Sequence, residues 1–245
     1  MIFTGNDLVF NDFNFSDLVF VEEIRTPLTP LISYSQQRIP GRTGVRLGSR
    51  QIGARPIEVD IRMIESVRAD VTDVATIVAG RLMTDGLAKL ATRRDRDRWW
   101  MAVYVGEPEL KQFHETGFST LEFLAPGGAM YSDEVTETLS AGANTVTATG
   151  TWESEPEIEI LLNAIRSEVS VTVNGKTVTA KRLTGTWPSG TKIKFMAESR
   201  SVYVNGVLDN SVVLLASRYG VLKPGGNNIS LVGGGGTLKY FPRWL

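Results

Sequence analysis

Two Asn-Gly pairs do most to limit the folds open to this chain. Asn174-Gly175 lies between Val171-Thr172-Val173 and Thr177-Val178-Thr179, and Asn205-Gly206 lies between Val202-Tyr203-Val204 and Val207-Leu208. A two-residue hairpin turn that matches strand twist needs positive φ at both central positions, and Asn followed by Gly meets that need at least cost. Pro188-Ser189-Gly190 and Pro224-Gly225-Gly226 mark further turns. Turn signals recur roughly every 8 to 15 residues, with no sustained helical period beyond Tyr131, which predicts a β-sandwich. A last strand is expected from Thr237 to Leu245, its end packed because Trp244 and Leu245 are costly to leave in water.

The first half reads differently. Leu8, Phe10, Phe13, Phe15, Leu18 and Phe20 are spaced by short polar residues, as in brief strands joined by turns, until Pro27 and Pro30 interrupt the pattern. Ile57, Val59 and Ile61 alternate with Glu58, Asp60 and Arg62, the mark of a half-buried strand. Asp70 then reads as a helix N-cap with Asp73 in the first turn, and Val71, Val74, Ile77, Val78 and Leu82 fall at helical spacing. One amphipathic helix follows, expected to end at Asp85-Gly86. Strands are predicted over Leu87–Leu90, Trp99–Val105 and Phe118–Leu124, the first two joined by the polar link Arg93–Arg98. At 245 residues the chain is long enough for two cores. The expected division is residues 1–130, an α+β domain with one helix, and 131–245, a β-sandwich. The fold class is mainly β.

Gln36 to Arg55 stands apart. It holds Arg38, Arg42, Arg46, Arg50 and Arg55, with Gly41, Gly44, Gly48 and Gly53 between them, and little apolar material to build a core. It is either a long solvated hairpin or an arm buried on another subunit. Arg38, Pro40, Gly41, Arg42, Arg46, Arg50 and Arg55 are the candidate interface residues of such an arm, because the planar guanidinium fork suits carboxylates across an interface.

Several function classes are disfavoured. The formal net charge is -1, so no bulk attraction to nucleic acid or anionic membrane is expected. There is no cysteine, which removes disulfides and thiolate metal sites and suits a reducing compartment. Met1 to Asp7 lacks the plan of a signal peptide, and no apolar run approaches the roughly 20 residues needed to cross a bilayer. The expectation is a chain made in the cytoplasm without membrane insertion.

No catalytic or metal constellation emerges. His114 is the only histidine, so a zinc or non-haem iron set is not expected, and no Gly-x-Ser-x-Gly elbow accompanies it. Glu153, Glu155, Glu157 and Glu159 share one strand face opposite Ile158 and Ile160, which reads as a solvated acidic face rather than a glycosidase pair. Gly233 to Gly236 leads into a strand, not a helix N-terminus, so it reads as a flexible loop rather than a phosphate cradle. Adjacent Trp99 and Trp100 should point to opposite strand faces, one of them into the core. Trp152 and Trp187 are core residues or, less simply, a stacking platform for sugars. No enzyme activity and no cofactor are expected.

The order of short motifs resembles the distal tail protein (Dit) family of bacteriophages with long non-contractile tails. The resemblance spans almost the whole chain. It rests on Arg38-Ile39-Pro40-Gly41-Arg42-Thr43-Gly44, Gly53-Ala54-Arg55-Pro56-Ile57-Glu58-Val59, Leu82-Met83-Thr84-Asp85 and Asp97-Arg98-Trp99-Trp100 with Ala102-Val103. It continues through Thr120-Leu121-Glu122-Phe123, Tyr131-Ser132-Asp133-Glu134, Leu222-Lys223-Pro224-Gly225-Gly226-Asn227 and Arg243-Trp244-Leu245. The family junction usually carries a further proline near Gly128, where this chain has Gly127-Gly128, and no extra module interrupts the second domain. The resemblance implies a hexameric ring with galectin-like sandwiches outside its N-terminal domains. The ring would sit at the phage tail tip, between the tail tube protein and the tip hub or tail-associated lysin, with receptor-binding proteins as further partners. DNA would meet it only in transit through the lumen. The alternative is a carbohydrate-binding adhesion protein acting on the host through the second domain.

Overall fold

The computed structural model describes residues 8–64, 70–95, 97–107, 109–113 and 116–245. Met1 to Asp7 and His114 lie outside the described residues. The chain divides into two compact units, Met1–Tyr131 with Leu245, and Ser132–Trp244. Both are mainly β.

The first unit contains β1 (Leu8–Phe10), β2 (Phe13–Asn14), β3 (Val19–Arg25), β4 (Ile32–Arg38), β5 (Val45–Ile52), β6 (Arg55–Ile64), α1 (Val71–Leu82), β7 (Ala88–Thr92), β8 (Arg98–Tyr104), β9 (Lys111–Phe113) and β10 (Thr116–Ala125), with β11 (Met130–Ser132) at the division. Its main sheet runs β2-β1-β7-β8-β10-β6-β3, with β9 also on β10. β6 and β10 pair antiparallel from Arg55↔Ala125 to Ile64↔Thr116. Ile57, Val59 and Ile61 turn inward onto Phe10, Leu121 and Phe123, as the alternation predicts. Sequence reading missed β9, which is three residues long without clear alternation.

Helix α1 starts where its cap predicts: Asp70 Oδ1 accepts from the Asp73 amide at 2.8 Å. Val71, Val74, Val78 and Leu82 are buried, but Ile77 is exposed. At about 100° per residue, Ile77 falls beyond the edge of the stripe centred on Val78. The helix closes at Leu82 with Met83 as C-cap, ahead of the expected Asp85-Gly86. Trp100 is buried, while Trp99 lies on the opposite face under the Lys89 ammonium, 3.7 Å from its ring centre.

The second unit packs two sheets over one core. It contains β12 (Val135–Leu139), β13 (Gly142–Ala148), β14 (Glu157–Leu161), β15 (Glu168–Val173), β16 (Lys176–Lys181), β17 (Lys192–Met196), β18 (Ser201–Val204), β19 (Val207–Leu208), β20 (Gly225–Val232), β21 (Gly236–Tyr240) and β22 (Arg243–Trp244). One sheet runs β12-β21-β14-β17-β18-β19 and the other β13-β20-β15-β16. Val169, Val171, Ile158, Ile160, Phe195 and Leu231 are among the side chains that meet between them. Both Asn-Gly pairs form the expected hairpins, with Asn174 and Asn205 at φ 49° and Gly175 and Gly206 also positive. The expected single strand from Thr237 to Leu245 is instead two, β21 and β22, broken at Phe241-Pro242 because proline has no N–H for a ladder.

Candidate assembly surfaces

The arginine-rich segment is a hairpin. β4 and β5 form a two-stranded sheet of their own, from Ile32↔Ile52 to Arg38↔Val45, with the tip at Ile39–Gly44. Gly41 and Gly44 take positive φ in the tip, which only glycine does without strain. Arg38, Arg42, Arg46 and Arg50 are exposed along it, with Pro40 and Gly41 at the turn. A register shift interrupts the pairing, because Arg50 opposes Tyr34 while Leu47 opposes Gln36. Three steps on β5 match two on β4, so Gly48 and Ser49 together face Ser35 as a β-bulge. Gly48 fits there because it has no side chain: a Cβ would lie 2.3 Å from Ser35 Oγ.

Arg55 does not belong to the hairpin. It opens β6, is only 3% exposed, and lies over the Trp100 ring, 5.1 Å from its centre. Its Nη2 donates to the Leu28 carbonyl at 3.4 Å. Burial holds the guanidinium below its ordinary pKa. Spacing put Arg55 with the other arginines, but strand parity and the Trp100 ring take it into the body of the unit.

The outward face of β3, β6 and β10 is strongly acidic. A cleft of about 430 Å³ there is lined by Glu22, Asp60, Glu107, Glu109 and Glu122, with Arg25 among them. Arg25 is bound by three carboxylates: Glu23 and Glu58, each at 3.0 Å, and Asp60. Burial alone would raise the Asp60 carboxyl. The Thr120 hydroxyl, donating at 2.7 Å, and the Arg25 guanidinium hold it below the ordinary carboxylate range. Farther along this face Arg62 meets Glu22 at 3.0 Å and lies over the Phe20 ring. Sequence alternation placed Glu58, Asp60 and Arg62 outward, but the pooling of charge with β10 and the Glu107–Glu109 segment needed the fold.

In the second unit the carboxylates of β14 are paired, not poised. Glu157 meets Lys194 at 2.7 Å and Glu159 meets Lys192 at 3.3 Å, while Ile158 and Ile160 are buried behind them. Glu155 meets Arg243 at 2.9 Å. Trp187 is a core side chain with 4% exposure, and Trp152 is half-buried beside β22. They form no shared ring platform, since Trp187 offers no open face. Gly233 to Gly235 is not the flexible loop expected: Gly233 and Gly234 are buried, and the Gly235 carbonyl accepts from the Leu161 amide at 2.9 Å. The glycines are there because the β14 backbone leaves no room. A Cβ on Gly234 would lie 1.9 Å from the Leu161 carbonyl oxygen. Among the described residues no group of three or more His, Cys, Asp or Glu could hold a metal ion. No helix among them is long and apolar enough to cross a membrane.

Comparison with known proteins gives a consistent picture. Residues 5–125 match the model of the phage tail protein RIFT-related domain, and residues 149–244 match that of the siphovirus-type tail component, C-terminal domain. No curated protein matches the chain. Among solved structures, the Dit (gp 19.1) protein of phage SPP1 superposes with a TM-score of 0.83 at 17% identity, over 98% of this chain and 99% of that one. It is described as a paradigm of the hub adsorption apparatus in phages infecting Gram-positive bacteria. The phage p2 baseplate in its activated conformation with Sr gives 0.46 at 9% identity, over 94% of this chain and 92% of that one. The same baseplate with Ca gives 0.46 at 9%, over 95% and 93%.

Proposed function

Since the chain belongs to the siphophage distal tail proteins, structural components of the phage tail, we propose that it assembles as a hexameric ring joining the tail tube to the tip hub. The observation that carries this reading is the pair of family matches in tandem order, covering both units. The finer points are ours. The ring passes DNA through its lumen during infection, and it meets the tail tube protein on one side and the tip hub or tail-associated lysin on the other. Receptor-binding proteins are further partners. The chain is made in the host cytoplasm and ends in the virion. Its first unit builds the ring wall and its second a galectin-like sandwich outside it. The Ile32–Ile52 hairpin is the contact that reaches a neighbour, with Arg38, Arg42 and Arg50 among its contact residues.

The acidic outward face of β3, β6 and β10 suits the channel wall. Carboxylates repel a passing phosphate backbone, where a basic wall would bind it through counterion release. The paired carboxylates of β14 support a role without catalysis, because a hydrolytic pair needs one acid with a raised pKa in an apolar pocket. The test is the mass of the purified chain by light scattering, joined with electron microscopy of the particles. A closed six-fold ring supports the reading. A stable monomer at micromolar concentration overturns it.

A further inference from the structure

The bulge at Gly48 sorts the side chains of the hairpin. Directly paired residues in an antiparallel ladder share a face, and so do residues two apart on one strand. Before the bulge, Ile32 pairs with Ile52 and Tyr34 with Arg50; after it, Gln36 pairs with Leu47 and Arg38 with Val45. One face therefore carries Ile32, Tyr34, Val45, Leu47 and Ile52, every apolar side chain of the two strands, together with Gln36, Arg38 and Arg50. The opposite face carries Ser33, Ser35 and Gln37 against Gln51, Ser49 and Arg46. Were the two strands paired one to one along their whole length, Val45 and Leu47 would point to the polar side. The extra residue gathers the apolar set on one face.

That face is bare within the chain. Ile32, Tyr34, Val45 and Leu47 leave 46%, 47%, 52% and 58% of their surface exposed. A lone two-stranded hairpin is marginal in water and gains order from whatever covers its apolar side. Charge points to the occupant. Between Arg25 and Glu58 there are five arginines and no acidic residue, while the rest of the first unit holds 17 acidic against 10 basic residues. The complementary surface is thus supplied by the chain's own kind, and an isolated phosphate backbone would leave the apolar side chains in water. We infer that this face of the hairpin, with Tyr34, Val45 and Leu47 at its centre, is the surface a second copy covers. The opposite face stays open to solvent in the assembly. Hairpin and recipient surface are different patches, so the contact is head-to-tail and closes by rotation into a ring.

This inference rests on the ring reading, and the experiment separates the two. The chain has no cysteine, so single thiols can be placed at will. In the assembled protein, Leu47→Cys should react with a maleimide at least about tenfold more slowly than Gln37→Cys, because thiol reactivity follows exposure. Leu47→Asp and Val45→Asp should each abolish assembly while the circular dichroism spectrum stays that of the folded chain. Ser33→Asp should assemble normally. If the two thiols react at equal rates, or Gln37→Cys is the protected one, the face assignment is wrong. If Leu47→Asp assembles like the unmodified chain, the inference is overturned while the ring stands. An unmodified chain that stays monomeric overturns both.

Discussion

The side-chain amide of Asn174 donates to Asn227 Oδ1 at 2.7 Å. This ties the tip of the β15–β16 hairpin to the start of β20. Asn227 is almost completely buried and uses its whole side chain: Oδ1 also accepts from the Lys223 amide at 2.7 Å, and Nδ2 donates to the carbonyls of Lys223 and Gly225. Asn174 in turn accepts from the Asn228 amide and donates to the Val221 carbonyl. The residue that marks the turn by its positive φ is therefore also a polar anchor. Asn227→Ala leaves several buried groups without partners and should destabilise the second unit by about 2 to 4 kcal/mol. Urea unfolding followed by tryptophan fluorescence measures it, and a loss below about 0.5 kcal/mol contradicts the anchor.

Gly234→Ala should be far worse than its size suggests. The new methyl would meet the Leu161 carbonyl oxygen at 1.9 Å, and backbone in the centre of a sheet cannot move aside cheaply. A loss above about 3 kcal/mol, or no soluble protein, is expected. Gly226→Ala is the control: nothing lies within 4 Å of its Cβ position. Equal melting temperatures for the two variants would contradict the packing argument.

Periodicity made much of this fold readable. The Ile57-Val59-Ile61 alternation, the Asp70 cap and both Asn-Gly turns are local signals, settled within a few residues. What escaped depends on which strands become neighbours. Ile77 has helical spacing but lies off the buried stripe. Gly233 and Gly234 look flexible until β14 is seen against them. Arg55 reads as one of five arginines until Trp100 covers it. The apolar face of the hairpin was invisible because Val45 and Leu47 have the wrong parity in sequence, and the bulge corrects it. The family was legible as a resemblance, through ordered motifs rather than chemistry, since neither unit carries a reactive constellation among its described residues.

Asp60 should contribute to acid sensitivity. Thr120 and Arg25 hold its carboxyl below the ordinary range despite burial. Its folded pKa is thus lower than its unfolded one, so the unfolded chain binds the proton more tightly. The stabilisation is full above the ordinary carboxylate pKa and is lost as pH falls through the folded value. Asp60→Asn should flatten the acid limb of the stability curve. A variant with an unchanged slope of melting temperature against pH would show that the contribution lies elsewhere.

Glu157 and Glu159 should prove dispensable. Their lysine partners are solvent-accessible, and exposed ion pairs contribute about 0 to 1 kcal/mol. Glu157→Gln and Glu159→Gln should leave the melting temperature nearly unchanged. Incubated with host cell wall, neither the unmodified chain nor the variants should release reducing ends or free amines. Turnover lost in Glu157→Gln would reassign this face as a catalytic site.

Removal of Arg243, Trp244 and Leu245 should weaken the second unit clearly. The Arg243 carbonyl accepts from the amides of Thr151 and Trp152 at 2.9 and 3.0 Å, and its guanidinium meets Glu155. Trp244 Nε1 donates to Ser132 Oγ at 3.3 Å, with its ring half-buried. Gly150 is shaped to this contact, since a Cβ there would lie 2.6 Å from the Arg243 carbonyl oxygen. Loss of these bonds and of the aromatic burial should cost about 2 to 4 kcal/mol. Trp244→Phe, which keeps most of the burial and loses the Ser132 bond, should cost about 1 kcal/mol. Calorimetry on both variants separates the contributions. A truncated chain that melts with the unmodified one would mean that β22 adds nothing to the stability of the sandwich.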